Sequence, residues 1–123
     1  MPKNYAKFKI PKEVSDKILQ VIEIAKNSGK LRKGTNETTK AIEKGLAQLV
    51  VIAEDVEPEE IVMHLPVLCE EKKIPYVFVP SKVDLGRAAG IDVGSASIGI
   101  VDFGEAKNQM KDLLKKIDEA KNQ

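Results

Sequence analysis

The residues best suited to chemistry lie in one stretch, Gly34-Thr35-Asn36-Glu37-Thr38-Thr39-Lys40. Asn36 and Lys40 stand four apart, so on a helix they share a face, and Glu37 flanks them. An amide, a carboxylate and an ammonium then converge at a helix N-terminus. Such a set suits the reading of base edges: lysine donates to guanine O6 and N7, glutamate accepts from base amino groups, and asparagine does both. The N–H groups and dipole of a first helical turn suit a phosphate alongside. Lys30, Arg32 and Lys33 lead into this turn, and Lys44 follows Lys40 by one turn. The same residues also fit a solvated helix capped by Thr35, with Glu37 complementing the dipole and the lysines near its end. A second feature is Gly90-Ile91-Asp92-Val93-Gly94, which holds two apolar side chains between glycines. These either cover bases splayed out of a duplex or tuck into the core.

Enzymatic patterns are weaker. Gly29-Lys30-Leu31-Arg32-Lys33-Gly34-Thr35 has the glycine spacing of a P-loop but lacks the Lys-Ser/Thr pair after the second glycine. His64 and Cys69 are five apart within Ile61, Val62, Leu65, Val67 and Leu68, and core or edge packing explains them better than a catalytic pair. The acidic run Glu54, Asp55, Glu57, Glu59, Glu60 lacks the Asx/Gly rhythm of a calcium loop and reads as a solvated turn and helix start. One cysteine and one histidine supply neither an internal disulfide nor a zinc ligand set, so no metal or cofactor is expected.

The elements that must position these residues follow from periodicity. Val14, Ile18, Val21, Ile22 and Ala25 form one helical stripe between Pro11 and Gly29. A short basic strand then leads to a helix that Thr35 caps and that runs to about Gly45. Leu49 to Ala53 is an apolar, β-branched run typical of a strand covered on both faces. Pro58 suits a helix's first position, and Pro66 predicts that the helix from Ile61 to Lys73 comes in two pieces. Tyr76 to Val79 reads as a strand; Ser81 and Asp84 open a helix through Arg87 that Gly90 ends. After a loop over 91–94, a strand spans Ala96 to Val101, and Ala106, Met110, Leu113, Leu114 and Ile117 mark a last amphipathic helix. This alternation predicts an α/β fold, a three-layer α-β-α sandwich with a central mixed sheet of about four strands and helices on both faces. Periodicity leaves the strand order open.

At 123 residues, 42% hydrophobic and 32% charged, the chain fits one globular domain over 1–123. Its opening residues lack a signal peptide's apolar core, and no apolar run approaches the roughly 18 residues of a membrane span. A reducing, cytoplasmic setting and a monomeric state are expected. The net charge of +1 is unevenly spread. Residues 1–44 carry 11 basic against 5 acidic residues, 45–75 carry 2 against 7, and 76–123 carry 7 against 7. Such polarity offers phosphates one basic face, although solvated helix faces explain it equally well.

Five blocks, in order, are more specific than any of these features alone. They are Gly34 to Ala41, Ala53-Glu54-Asp55-Val56-Glu57-Pro58, His64 to Glu70, Pro75-Tyr76-Val77 and Leu85 to Gly90. Together they closely resemble the archaeal kink-turn-binding ribosomal protein family over nearly the whole chain. The resemblance implies an α-β-α sandwich and a protein of the large ribosomal subunit. It also implies a core protein of box C/D and H/ACA guide ribonucleoproteins, associated with ribonuclease P. Its partners would be kink-turn RNA and other core proteins of such particles. By the same resemblance Asn36, Glu37 and Lys40 contact the tandem sheared G·A pairs. Lys33, Gly34, Thr35 and Lys44 approach the RNA backbone. Glu57, Ile61 and Lys82 fall at further RNA-contacting positions, the first two near an extruded base, and Ile91, Asp92 and Val93 cover the bend. Asp92-Val93-Gly94 stands where eukaryotic relatives carry Ser-Arg before a proline, which implies tolerance of a wider range of RNAs, kink-loops included. The alternative reading is a protein-interaction scaffold that uses the acidic 54–60 surface, with RNA contact secondary.

Overall fold

The stripe of Val14, Ile18, Val21, Ile22 and Ala25 is buried along the first helix, α1 (Lys12–Ser28). In this computed structural model, residues 8–122 are described; residues 1–7 and 123 of the expected domain lie outside them. After α1 come β1 (Lys30–Lys33), α2 (Thr35–Glu43), β2 (Leu49–Ala53) and a 3-10 turn (Glu59–Ile61). The chain continues with α3 (His64–Lys72), β3 (Tyr76–Val79), α4 (Lys82–Ala88), β4 (Ser97–Asp102), a second 3-10 turn (Gly104–Ala106) and α5 (Lys107–Lys121).

The strands form a four-stranded sheet in the order β1-β4-β2-β3. β4 runs antiparallel to both β1 and β2, while β2 and β3 are parallel, which makes the sheet mixed. α1 and α4 pack on one face, with α5 against α1; α2 packs on the other face beside α3. The three-layer sandwich expected from the sequence is therefore the architecture observed. All residues of β2 and β3 are buried, as both-sided covering requires. Ile52, Phe78, Ile98 and Ile100 lie at its centre, fully enclosed.

The strand register places four chain segments at one end of the sheet. Lys33 pairs with Ile98, Ile52 with Ser97, and Ala53 with Val79. The C-terminal ends of β1, β2 and β3 thus lie beside the N-terminal end of β4. The start of α2, the turn after β2, the start of α4 and the loop before β4 all issue from this end.

Two expectations about helix ends need correction. The helical region around 59–72 does come in two pieces, but it breaks at Val62 and Met63, and Pro66 sits inside the first turn of α3. First-turn N–H groups have no intrahelical partner, so proline interrupts nothing there. Thr35 is not the cap of α2: Gly34 occupies that position and no side chain caps the helix.

Truncation of Ile52, a fully enclosed side chain in a central strand, tests this core. Ile52→Ala is expected to lower stability by about 2 to 5 kcal/mol, read as a lower urea midpoint at unchanged slope.

Candidate nucleic-acid interface

The segment from Thr35 to Ile42 divides into two faces. At 100° per residue, Thr35, Thr38, Thr39 and Ile42 fall within an arc of about 100°, and Asn36, Glu37 and Lys40 within another on the far side. Ile42 is fully buried, Thr38 is buried and Thr35 and Thr39 are half-buried, while Asn36, Glu37 and Lys40 are exposed. Each threonine ties α2 to a different neighbour. Thr35 Oγ1 lies 3.2 Å from Ser97 Oγ of β4. Thr38 Oγ1 donates to the Arg32 carbonyl of β1 at 3.4 Å. Thr39 Oγ1 donates to the Thr35 carbonyl at 2.7 Å and lies 2.9 Å from His64 Nε2 at the start of α3. With its proton given to Thr35, Thr39 can only accept from the imidazole, so His64 carries its proton on Nε2. Gly99 of β4 lies beneath Thr38, where an added Cβ would already stand 3.5 Å from the Thr38 methyl. A larger side chain there would lift α2 off the sheet.

Gly34 makes the turn from β1 into α2. Its φ of 90° and ψ of 161° suit glycine alone, and its N–H extends the ladder by donating to the Ser97 carbonyl at 3.1 Å. Open space surrounds its α-carbon, with nothing within 4 Å of where a Cβ would stand. The outward face carries one weak internal contact, Lys40 Nζ to Glu37 Oε1 at 3.6 Å. Both groups are more than half exposed, and such a surface pair contributes only about 0 to 1 kcal/mol. A ligand displaces it at little cost.

The other predicted residues gather around this helix start through a set of bonds between segments. Asp55 Oδ1 accepts from the Lys82 backbone N–H at 2.8 Å, so the acidic turn after β2 is tied to the start of α4, which Ser81 caps by accepting from the Asp84 N–H at 3.2 Å as expected. The Lys82 carbonyl accepts from Ser95 N–H at 2.9 Å, and Ser95 Oγ donates to the Ser97 carbonyl at 2.9 Å. The Ile91 N–H donates to the Gly86 carbonyl at 2.8 Å. A Cβ on Gly86 would stand 2.3 Å from the Val93 carbonyl oxygen, so the loop rests directly on α4.

The structure thus brings together Lys33, Gly34, Thr35, Asn36, Glu37 and Lys40 with the segments that carry Glu57, Ile61, Lys82, Ile91, Asp92 and Val93. Lys44 is the exception. It is the C-terminal cap of α2, about 15 Å along the axis from Gly34 at 1.5 Å per residue. The two apolar residues of the 91–94 loop part company. Ile91 is half-buried against the core, whereas Val93 is 71% exposed, so each of the two alternatives left by the sequence holds for one of them. Ile61 is also exposed. The acidic turn is solvent-exposed as the sequence suggested, with Asp55, Glu57 and Glu60 exposed, and Asp55 in addition holds the start of α4.

Sequence reasoning missed Ser95, Ser97, Thr38, Thr39 and the bond of Asp55 to the start of α4. The polar positions inside the apolar pattern of the last strand were the available signal, because a buried hydroxyl needs a partner. His64 and Cys69 form no pair. His64 bonds Thr39, while Cys69 is fully buried and its thiol is pushed up to about 12 by burial, with Glu70 adding and Lys121 opposing. Among the described residues, no cluster of three or more potential metal-binding side chains occurs.

The model of the ribosomal protein L7Ae/L30e/S12e/Gadd45 family matches residues 16–110. Among solved structures, the chain is similar to the Giardia lamblia 15.5kD RNA binding protein, at 32% identity, 98% coverage of each chain and a TM-score of 0.83.

The buried thiol makes a prediction of its own. The folded protein should resist a charged thiol reagent at pH 8 and react only after unfolding, because the thiolate is the nucleophile. Since the folded value lies above the ordinary 9.0, the thiol's contribution to stability is intact below pH 9 and is lost as pH rises toward about 12. Rapid labelling of the native protein would contradict this burial.

Proposed function

Because the chain belongs to the ribosomal protein L7Ae/L30e/S12e/Gadd45 family, we propose that it is a non-enzymatic, RNA-binding protein of ribonucleoprotein particles that recognises and stabilises kink-turns and kink-loops. The observation that carries this reading is the outward face of α2. Asn36, Glu37 and Lys40 stand exposed on a helix start that three threonines hold from behind. Tandem sheared G·A pairs present the complementary groups: guanine acceptors for Lys40, base amino groups for Glu37, and both kinds for Asn36.

The neighbouring residues divide the remaining work. Lys33, Gly34 and Thr35 meet the backbone, where open space at Gly34 admits a phosphate. Glu57 and Ile61 receive an extruded base, and Lys82 contacts the RNA beside them. Val93 presents an apolar surface to the bend, with Ile91 anchoring its loop and Asp92 exposed beside it. Lys44, at the far end of α2, serves as a longer-range positive charge. The targets proposed are ribosomal RNA, box C/D and H/ACA guide RNAs and ribonuclease P RNA, bound in the cytoplasm by a monomer that other core proteins then join.

Mechanistically, the protein shifts a population. An RNA that exchanges between extended and bent forms moves toward the bent one by the difference in affinity for the two. Energy transfer between dyes at the ends of a kink-turn RNA should show the bent form dominant at saturating protein, and an RNA with disrupted G·A pairs should not respond. Persistence of the extended form in the intact RNA would sink the proposal. Lys40→Ala should weaken binding by about 1 to 3 kcal/mol at matched salt, as expected for a lost base contact. An unchanged affinity would remove Lys40 from the reading set.

A further inference from the structure

Ser97 is fully buried at the first position of β4, and its side-chain oxygen has one partner among the described residues, Thr35 Oγ1 at 3.2 Å. Hydroxyl pairs are ambiguous at this distance, since either oxygen can donate. Burial removes the ambiguity. A buried hydroxyl proton without an acceptor bears the full cost of its desolvation, and the acceptor available to Ser97 is Thr35 Oγ1. If Thr35 donated inward instead, the Ser97 proton would be stranded in the core. Thr35 is half-buried, so its own proton can turn outward.

From this geometry we infer that Ser97 is a positioning residue for RNA binding: its hydroxyl donates to Thr35 and thereby fixes the Thr35 hydroxyl as an outward-facing donor to an RNA phosphate. The inference rests on the RNA-binding reading above and concerns the direction of one proton within it. Two further contacts keep Ser97 in place. Its carbonyl accepts from the Gly34 N–H at 3.1 Å and from Ser95 Oγ at 2.9 Å, filling both lone pairs. Gly34 N–H therefore points into the sheet and cannot serve the ligand. The donors of this turn toward a phosphate reduce to the Thr35 hydroxyl and the free N–H groups of the first helical turn. A hydroxyl barred from its inward orientation loses less rotational freedom on binding, which is preorganisation at the scale of one bond.

A double-mutant cycle tests this. Ser97→Ala should weaken binding of a kink-turn RNA by roughly 3- to 10-fold, the worth of one hydrogen bond. In a Thr35→Val background the same change should cost almost nothing more, because the hydroxyl it orients is gone. A purely structural role for Ser97 would give equal losses in both backgrounds, and that result overturns the inference, as does no loss at all. Neutron diffraction of the deuterium-exchanged protein without RNA decides the hydrogen-bond direction independently. A deuteron on Ser97 Oγ pointing at Thr35 supports the inference, and one on Thr35 pointing at Ser97 refutes it. Should the unaltered protein fail to bind the RNA, the kink-turn reading falls, while the neutron result still settles which oxygen donates.

Discussion

The candidate interface depends on how α2 is held to the sheet. An isolated helix of nine residues is not stable in water, because nucleation costs more than so few hydrogen bonds return. α2 exists because its inward face is secured. Ile42 and Ala41 are buried, Gly99 lets the helix approach, and Thr35, Thr38 and Thr39 reach β4, β1 and α3 respectively. Threonine has low helix propensity. Three of them in the first five residues of a helix make sense only as polar ties, each satisfied by a neighbour rather than by the helix alone. With stability secured from behind, the outward positions are free to carry chemistry, and Asn36, Glu37 and Lys40 occupy them.

The sheet topology explains why distant segments meet. In the order β1-β4-β2-β3, with β4 antiparallel to its neighbours, three strands end where the fourth begins. Connections at that end are therefore adjacent whatever their separation in sequence. Hydrogen bonds then run from one to the next, from Asp55 to Lys82, from Lys82 to Ser95, from Ser95 to Ser97, and from Ser97 to both Gly34 and Thr35. The same topology sends α2 away from this end, which is why Lys44 falls outside the cluster although one turn beyond Lys40.

Much of this was legible in the sequence. Apolar patterning located α1, β2, β3, β4 and α5, because burial on one face or two leaves a period of 3.6 or an apolar run, while α2 and α4 were marked by capping and glycine signals. The resemblance brought together residues that spacing alone left separate. Much of what could not be read has one physical cause: hydrogen bonds to partners remote in sequence. Thr35 is a good cap by local rules, yet Ser97, 62 residues away, takes its hydroxyl. Asp55 belongs to a solvated acidic run, and its added bond to α4 arises only because the parallel β3 delivers Lys82 to it. Pro66 signals a break by residue type, but its cost vanishes in a first turn, a matter of position that pattern leaves undetermined. The split between Ile91 and Val93 likewise depends on where Gly86 holds the loop.

The modest net charge bears on selectivity. A strongly basic protein binds any RNA through its phosphates, and that attraction is the same for extended and bent forms. A ligand that binds both forms equally shifts nothing, however tightly it binds. With a net charge of +1 and an acidic turn beside its basic one, this chain has little uniform attraction to offer. On the proposed reading its affinity must come from contacts that only the bent RNA can complete at once: base edges on α2, phosphates at Gly34 and Thr35, and an apolar cover at Val93. These lie on separate segments locked together by the hydrogen bonds at the sheet end, so an RNA that engages one without the bend cannot reach the others. Rigidity of the protein, rather than its charge, is then what converts binding into bending.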